Sequence, residues 1–498
     1  MPSITSPSSS NSDLPSDVEK QAEPIRTGRQ TPSRGGKEEE RDNGDDSPTE
    51  ETAAVADDWQ IPPEPDLLNT EADGMAGTVN RVLSRISTKS SWNPGPPPDG
   101  GRVAWLACIC GHFAIMNTWG FINSFGVFQT YYVSQLSRTP SEISWIGSLQ
   151  VFLTFFIGTF TGRMTDAGFF RPVLICGTIF MTLGIFTTSV ATQYWQLLLS
   201  QGLCMGIGSG FIFCPAISTV STYFNKKRSL AIGITACGSV TGGLIFPAMA
   251  RQLLPTVGFG WAVRAIGFVQ LGSLIFTVAF MKSRLPPRRT GSLVEWAAFK
   301  ELEYTFYAAG MFFNFWGVYF AFYYLAAFSR EAVVPALAYT DSLNMLLLLN
   351  GIGVLGRLLP NYLADRAGPL NLMIPTCLIC GVALLSWTAV RTPAQLYGWA
   401  VVYGVVAGAL QSLFPAGLSS LTADLRKQGT RMGMVFTIVS FAVLTGNPIA
   451  GAIIGAMGGS YVGAQIFTGV CLLVGMGFIL AARWVRMRGV GTGWRVKI

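Results

Sequence analysis

The sequence predicts an all-α integral membrane protein with twelve transmembrane helices in two six-helix, pseudo-symmetric bundles. Three observations carry that expectation. Half of the 498 residues are hydrophobic and 13 % are charged, with a mean hydropathy of +0.40, whereas soluble domains carry about 25 % charged residues. Nine acids remain from Arg102 to Ile498: Glu142, Asp166, Glu295, Glu301, Glu303, Glu331, Asp341, Asp365 and Asp424. The cations of that stretch gather on alternate connections between apolar runs.

Nineteen of the 28 acids and nine of the 35 bases precede Arg102, leaving that part net −10 and the remainder net +17. A water-facing surface needs far more charge, with both signs mixed. A charged side chain at the centre of a bilayer costs at least ~2.5–3.5 kcal/mol, so lipid is the solvent that explains the depletion.

Residues 1–98 are rich in Ser, Pro, Glu, Asp and Gly, a composition that buries too little apolar surface to offset ordering entropy. They read as a disordered, acidic, cytoplasmic tail. Val79 to Lys89 could form a short surface helix, and Pro94-Gly95-Pro96-Pro97-Pro98 is a stiff spacer. No n-region and h-region pattern opens the chain, so no cleaved signal is expected.

A spanning helix needs about 20 apolar residues. That rule places spans near 103–131, 142–164, 172–192, 195–222, 229–252 and 260–282, then near 304–328, 340–364, 370–390, 394–422, 431–456 and 461–485. The first set makes an N-terminal bundle over 99–282 and the second a C-terminal bundle over 304–485. A polar linker over 283–303 joins them, and a short basic tail covers 486–498. With the N-terminus inside, nineteen Lys and Arg fall on cytoplasmic segments and five (Arg138, Arg251, Arg264, Arg330 and Arg391) on the other side. The positive-inside rule therefore puts both termini in the cytoplasm. The net basic charge then faces the anionic inner leaflet and does not indicate nucleic acid.

The nine cysteines form no CxxC pair, and the single histidine excludes His-rich metal sites. Gly351-Ile352-Gly353-Val354-Leu355-Gly356 fits a dinucleotide fingerprint literally but sits inside an apolar span, where it reads as packing. No catalytic constellation is present, so neither enzyme activity nor a cofactor is expected. GxxxG spacing recurs at Gly158/Gly162, Gly202/Gly206, Gly404/Gly408 and Gly451/Gly455, marking close helix approach.

Two turns echo each other across the halves. Gly162-Arg163-Met164-Thr165-Asp166-Ala167-Gly168-Phe169-Phe170-Arg171 follows span 2, and Asn361-Tyr362-Leu363-Ala364-Asp365-Arg366-Ala367-Gly368 follows span 8. In each, an Asp at a helix end lies near an Arg and a turn glycine. It can meet that Arg or the N-terminus of a neighbouring helix, and so latch one face. Asp166, Arg171, Asp365 and Arg366 are therefore the gating candidates.

The paired turns resemble the loop motif of the major facilitator superfamily, repeated in its two six-helix halves; Asn361 departs from the family glycine, which points to a weaker second latch. A narrower resemblance lies in Asp99-Gly100-Gly101-Arg102-Val103-Ala104-Trp105 before span 1 and Tyr223-Phe224-Asn225-Lys226-Lys227-Arg228-Ser229-Leu230-Ala231-Ile232-Gly233 entering span 5. Together they look like the signature pair of the monocarboxylate porter family. Gly356-Arg357-Leu358-Leu359-Pro360 and Phe128-Gln129-Thr130-Tyr131-Tyr132 look like its fungal branch. The resemblance implies alternating access, spans 1, 4, 7 and 10 around a cavity, and symport of a small organic acid. It also implies a span-1 lysine and an Asp four residues before the span-8 Arg. This chain has Asn123 and Gly353 at those places and keeps Arg357.

Arg357, the one basic residue well inside a span, is the candidate for binding a carboxylate; alternatively it snorkels towards the cytoplasmic interface. His112 is the proton-coupling candidate, with a buried hydrogen-bonding role as the simpler reading. Amides are costly in hydrocarbon unless paired, so Asn117, Asn123, Asn314, Asn350 and Gln411 are expected to face the cavity, together with Gln129 and Asn344. Trp119, Phe315, Trp316 and Tyr319 could wall it. The expected protein is a monomeric secondary transporter of a small organic acid or related metabolite, in the plasma membrane more readily than in an internal one. A carrier of a larger metabolite or vitamin remains open, as does a nutrient sensor signalling through the tail.

Overall fold

The computed structural model describes residues 95–136, 138, 140–288 and 290–490. They belong to a compact unit spanning Met75–Ile498. The other unit, Met1–Gly74, lies outside the described residues, as do most of the expected acidic tail, the helix expected over 79–89 and the last eight residues.

Among the described residues there is no strand, and apolar helices follow one another along the whole length. We number the spans α1 (Gly101–Gln129), α2 (Glu142–Asp166), α3 (Phe170–Thr188), α4 (Tyr194–Tyr223), α7 (Leu302–Glu331), α8 (Thr340–Ala367), α9 (Pro369–Ala389), α10 (Pro393–Ser420), α11 (Leu425–Ala456) and α12 (Val462–Gly489). The run Arg228–Phe280 holds two more, α5 (228–257) and α6 (259–280), because the chain turns at Gly258 with φ 76° and ψ 171°. A positive φ of that kind is open to glycine at no steric cost. The expected two sets of six are the observed architecture.

The halves repeat in detail. The backbone N–H of Gln193, ahead of α4, is bound by the Gln196 side chain, and Gln395 does the same for Thr392 ahead of α10. Such reciprocal caps satisfy donors that the first helical turn leaves open. Each of these helices carries one internal proline, Pro215 and Pro415. Gly202 and Gly206 of α4 pack on α2 at Ile146 and Gln150, and Gly404 and Gly408 of α10 pack on α8 at Leu349 and Gly353. Gly451 instead meets the Tyr324 hydroxyl.

Large apolar side chains such as Ile109, Leu183, Phe268, Leu355, Val382 and Val470 are exposed around the perimeter. On a soluble protein they would form an aggregating patch; here they face lipid. Helix association in lipid then depends on close packing more than on expelling water. One of the tightest approaches joins the two halves. Gly158 and Gly162 of α2 lie on Gly433 and Gly429 of α11, backbone against backbone. A β-carbon at Gly433 would fall 2.0 Å from the Gly158 carbonyl oxygen.

That contact has no flexible side chain to give way. Gly433→Ala is expected to cost on the order of 1–3 kcal/mol by overpacking, read as a lowered unfolding temperature of the protein in detergent. An unchanged midpoint would show that α2 and α11 are held apart elsewhere.

Candidate functional site

Between the halves lies a cavity of about 920 Å³. It is walled by α1 (Trp119, Asn123, Gln129), α2 (Ser144, Ser148), α7 (Tyr319, Phe322, Tyr323), α8 (Ser342, Asn350) and α11 (Asn447), with Arg330 and Tyr461 near its mouth. It opens away from the 281–301 linker. Arg330 is the one charged side chain among the described lining residues.

Aromatic rings close the cavity below. Trp119 of α1 and Tyr319 of α7 stack across the halves at 6.0 Å and 4°. Both stand where a helix departs from α geometry: Trp119 in the π-helical turn Met116–Gly120, Tyr319 between the segments Leu302–Val318 and Phe320–Glu331. Beneath them Phe155, Phe213, Phe315, Phe414 and Phe436 continue the contact at 4.8–5.8 Å between centroids. This is one apolar cluster fed by both halves.

Arg357 lies under that floor, 3 % exposed, with Tyr319 close enough to interact electrostatically. Its Nη2 donates to Gln411 Oε1 at 3.3 Å. Its Nη1 fills the space that side chains at Gly353 and Gly408 would take, 2.4 and 3.1 Å from their ideal β-carbons. A helical side chain leans towards the helix N-terminus, and α8 runs towards the linker side. The guanidinium therefore points to mid-membrane, and the snorkelling alternative does not occur.

The linker side is shut by backbone capping across the halves. Asp166, at the end of α2, accepts from Gly429 N (2.9 Å), Thr430 N (2.7 Å) and Thr430 Oγ1 (2.6 Å) at the start of α11. Asp365, at the end of α8, accepts from Ser229 N (2.8 Å) and Leu230 N (3.0 Å) at the start of α5. Of the two partners left open by the sequence, the helix N-terminus is the one taken. Arg171 is exposed, with no ion pair to Asp166 among the described residues, and Arg366 lies over the Tyr362 ring at 4.6 Å. Asn361 replaces the motif glycine without opening a gap, because it faces Gly233 and donates to Ser412 Oγ at 2.7 Å.

Several candidates lie elsewhere than expected. Asn123, Gln129 and Asn350 line the cavity. Asn117 instead donates to Phe113 O and to Ser273 Oγ of α6, at 2.7 and 2.8 Å. Asn314 donates to Gly310 O at 2.7 Å and presses on Gly475 of α12. Asn344 is exposed, Gln411 serves Arg357 below the floor, and Trp316 donates to Thr445. His112 has Nδ1 2.9 Å from Ile234 O and Nε2 3.1 Å from Thr241 Oγ1, so it ties α1 to α5. Spans 2, 8 and 11 contribute more wall than expected, and spans 4 and 10 less. Ser144, Ser148, Tyr323 and Asn447 went unpredicted; serines and tyrosines in apolar runs give no signal of the face they occupy.

The sequence model of the Major Facilitator Superfamily matches residues 107–422. The chain belongs to the major facilitator superfamily. It is thus a multi-pass membrane protein and a secondary transporter. It is 61 % identical over 406 residues to an MFS-type transporter of Gibberella zeae, covering 82 % of this chain and 90 % of the relative. It is 33 % identical over 404 residues to the aspyridones efflux protein of Emericella nidulans, covering 80 % and 82 %. Among solved structures, the E. coli fucose:proton symporter shares the fold with a TM-score of 0.62 at 15 % identity, over 76 % of this chain and 99 % of that one. A human organic anion transporter gives 0.59 at 14 %, over 77 % and 97 %.

In this major facilitator, Cys214 is fully buried beside the first cap, with Sγ 3.9 Å from Gly429 O. Hydrogen bonds to a charged group contribute about 1.5–3 kcal/mol, and each 1.4 kcal/mol is about tenfold in an equilibrium. Asp166→Ala should therefore raise the alkylation rate of Cys214 by about 10–100-fold, measured by mass spectrometry of the labelled peptide. A rate equal to that of the parent protein would mean that the cap does not hold the seal.

Proposed function

We propose that this transporter exports an acidic, aromatic metabolite of drug-like size by alternating access, with Arg357 taking its anionic group. The observation that carries this reading is the combination of cavity and cation. A volume of about 920 Å³, lined by rings and amides, far exceeds what a lactate-sized acid needs, and sites of roughly 300–1,000 Å³ suit drug-sized ligands. The buried guanidinium beneath it has a neutral amide as its hydrogen-bond partner and no ion pair among the described residues. The efflux function named for the Emericella nidulans relative supports the outward direction.

The orientation proposed from the loop charges puts the linker and both termini in the cytoplasm, so the described state is open outwards. Asp166 and Asp365 are then the cytoplasmic latches, and the stacked Trp119–Tyr319 pair separates the open cavity from Arg357. The plasma membrane is the natural location for such an exporter, and a single chain suffices for the cavity. Nothing catalytic is assigned to it.

The second reading, symport of a small acid as in monocarboxylate porters, is favoured by the docking of the two signature segments. Asp99 Oδ1 accepts from Asn225 N and Lys226 N at 2.5 and 2.6 Å. Against it stands a cavity wall without a carboxylate among its described residues, and Gly353 where such porters carry an acid.

Reconstituted protein separates the two readings. Vesicles loaded with an aromatic carboxylic acid of drug-like size, its methyl ester or lactate are compared with and without a pH gradient. The aromatic acid should move, its ester and lactate at least about tenfold more slowly, the value of roughly one charge-assisted hydrogen bond. Arg357→Gln should abolish that flux while membrane insertion is retained. Undiminished flux in Arg357→Gln would remove the residue from the mechanism, and fast release of lactate would favour the porter reading.

A further inference from the structure

The linker is not a slack connection. Arg288 N donates to Asp166 O at 2.7 Å, and Arg163 of α2 donates from Nη1 to Arg288 O (3.2 Å) and from Nε and Nη2 to Gly291 O (3.3 and 3.1 Å). The strap then crosses to the other half. Glu295 pairs with Lys427, just before the Gln428–Ala456 helix of α11, and its N–H meets Met434 Sδ at 3.4 Å. Glu295 also faces Arg288 at 3.7 Å, and Glu301 accepts from Arg431 at 2.9 Å. The strap thus holds both sides of the Asp166 latch at once.

At its crest, between these two attachments, Thr290, Gly291, Ser292 and Leu293 are exposed and in no regular secondary structure. Ser292 Oγ donates to Val294 O at 2.6 Å and is otherwise open. In the sequence, Arg289 stands three places before Ser292 and Arg288 four places before it. A β-carbon at Gly291 would lie 2.8 Å from Arg288 Nη2, so this guanidinium runs alongside the residue preceding the serine. Arg163 holds the carbonyl of that same residue.

We propose that Ser292 is a phosphorylation site for an arginine-directed serine/threonine protein kinase, and that the phosphate fastens the strap with the cytoplasmic side closed. The inference rests on the orientation proposed above, which puts the strap on the side where nucleoside triphosphate and kinases are found. In the transfer, Ser292 Oγ attacks the γ-phosphorus of ATP. The new Oγ–P bond forms as the bond to the β,γ-bridging oxygen breaks. ADP leaves with that oxygen, and the hydroxyl proton passes to the base of the kinase. The product carries about −1.5 to −2 charges and three acceptor oxygens. Arg163 now spends its donors on neutral carbonyls; phosphate offers charge-assisted, bidentate bonds of roughly twice the strength. Arg288 at 3.7 Å from Glu295 is drawn to the phosphate, which leaves Glu295 to Lys427.

The test uses the full-length protein in detergent, where both faces are accessible, treated with ATP and a calmodulin-dependent kinase, which selects arginine three residues before its acceptor. Fragment ions of the tryptic peptide 290–300 place the phosphate on Ser292 or on Thr290. Phosphorylation at Ser292 should slow alkylation of Cys214 about tenfold, the order of one charge-assisted bond. Kinase-treated Ser292→Ala should keep the untreated rate, and Arg163→Gln should lose most of the slowing. Absence of phosphate on Ser292 overturns the proposal, and so does a phosphorylated protein whose Cys214 reacts as fast as before. The orientation is tested separately, by trypsin added outside intact cells. Cleavage after Arg289 from that side would overturn the orientation, and the cellular role of the site with it, whatever the kinase does in detergent.

Discussion

The closed face depends on two carboxylates that each occupy the N-terminus of a helix in the opposite half. The first four N–H groups of a helix have no partner within it, and the aligned peptide dipoles leave about half a positive charge there. In water such a donor set is satisfied by solvent. At the edge of a bilayer, against glycine-lined backbone, it must be satisfied by protein. Asp166 does this for α11 and Asp365 for α5. Because each half both gives and receives a cap, neither latch can part without orphaning two sets of groups, a carboxylate and a helix end. In the proposed role of the two carboxylates as latches, that cost favours opening of both together as the halves rock.

The same economy explains where the motif arginines go. Once a helix end has claimed the carboxylate, Arg163 is free for the linker carbonyls and Arg366 for the ring of Tyr362. Arg228 reaches across to Ser419 O at 3.2 Å. Arg163 and Arg228 therefore organise backbone oxygen at this face, while Asp166 and Asp365 organise backbone nitrogen. Asp424 follows the same pattern outside the spans. Burial pushes its carboxyl up, but the side chain and N–H of Arg426 outweigh that and hold it below the ordinary carboxylate range.

The spans, their grouping into two sets of six and the paired turns were legible in the sequence because each is written in composition or spacing. The α5–α6 division was legible too, although Gly258 lets one apolar run continue through it. The faces of the amides were not. In a soluble helix polar residues mark the outside; in lipid the outside is as apolar as the core, so periodicity falls silent. Asn117 and Asn123 show the result. Six residues of regular helix separate their directions by about 240°, and the π-turn Met116–Gly120 shifts the register further. One therefore meets α6 and the other the cavity. Backbone donors such as Gly429 N and Ser229 N leave no trace in residue type at all, which is why the sequence left Arg and helix end as equal partners.

Arg357 is where these constraints meet. Desolvating a guanidinium costs several kcal/mol unless a counter-charge repays it, and its surroundings repay little. Gly353 and Gly408 offer no side chains, and Gln411 offers one neutral oxygen. The adjacent turn of α8 holds its own amide only in part: Asn361 Nδ2 donates to the Arg357 carbonyl and to Ser412, while its Oδ1 is buried without a hydrogen bond. In the mechanism proposed above, the missing anion is one that comes and goes. The cavity wall supplies none among its described residues, so in that proposal the counter-charge belongs to the cargo. To reach it, the cargo must part Trp119 from Tyr319. On that proposal, binding at Arg357 is tied to the contact that joins α1 to α7, and cargo recognition and movement of the halves become one event.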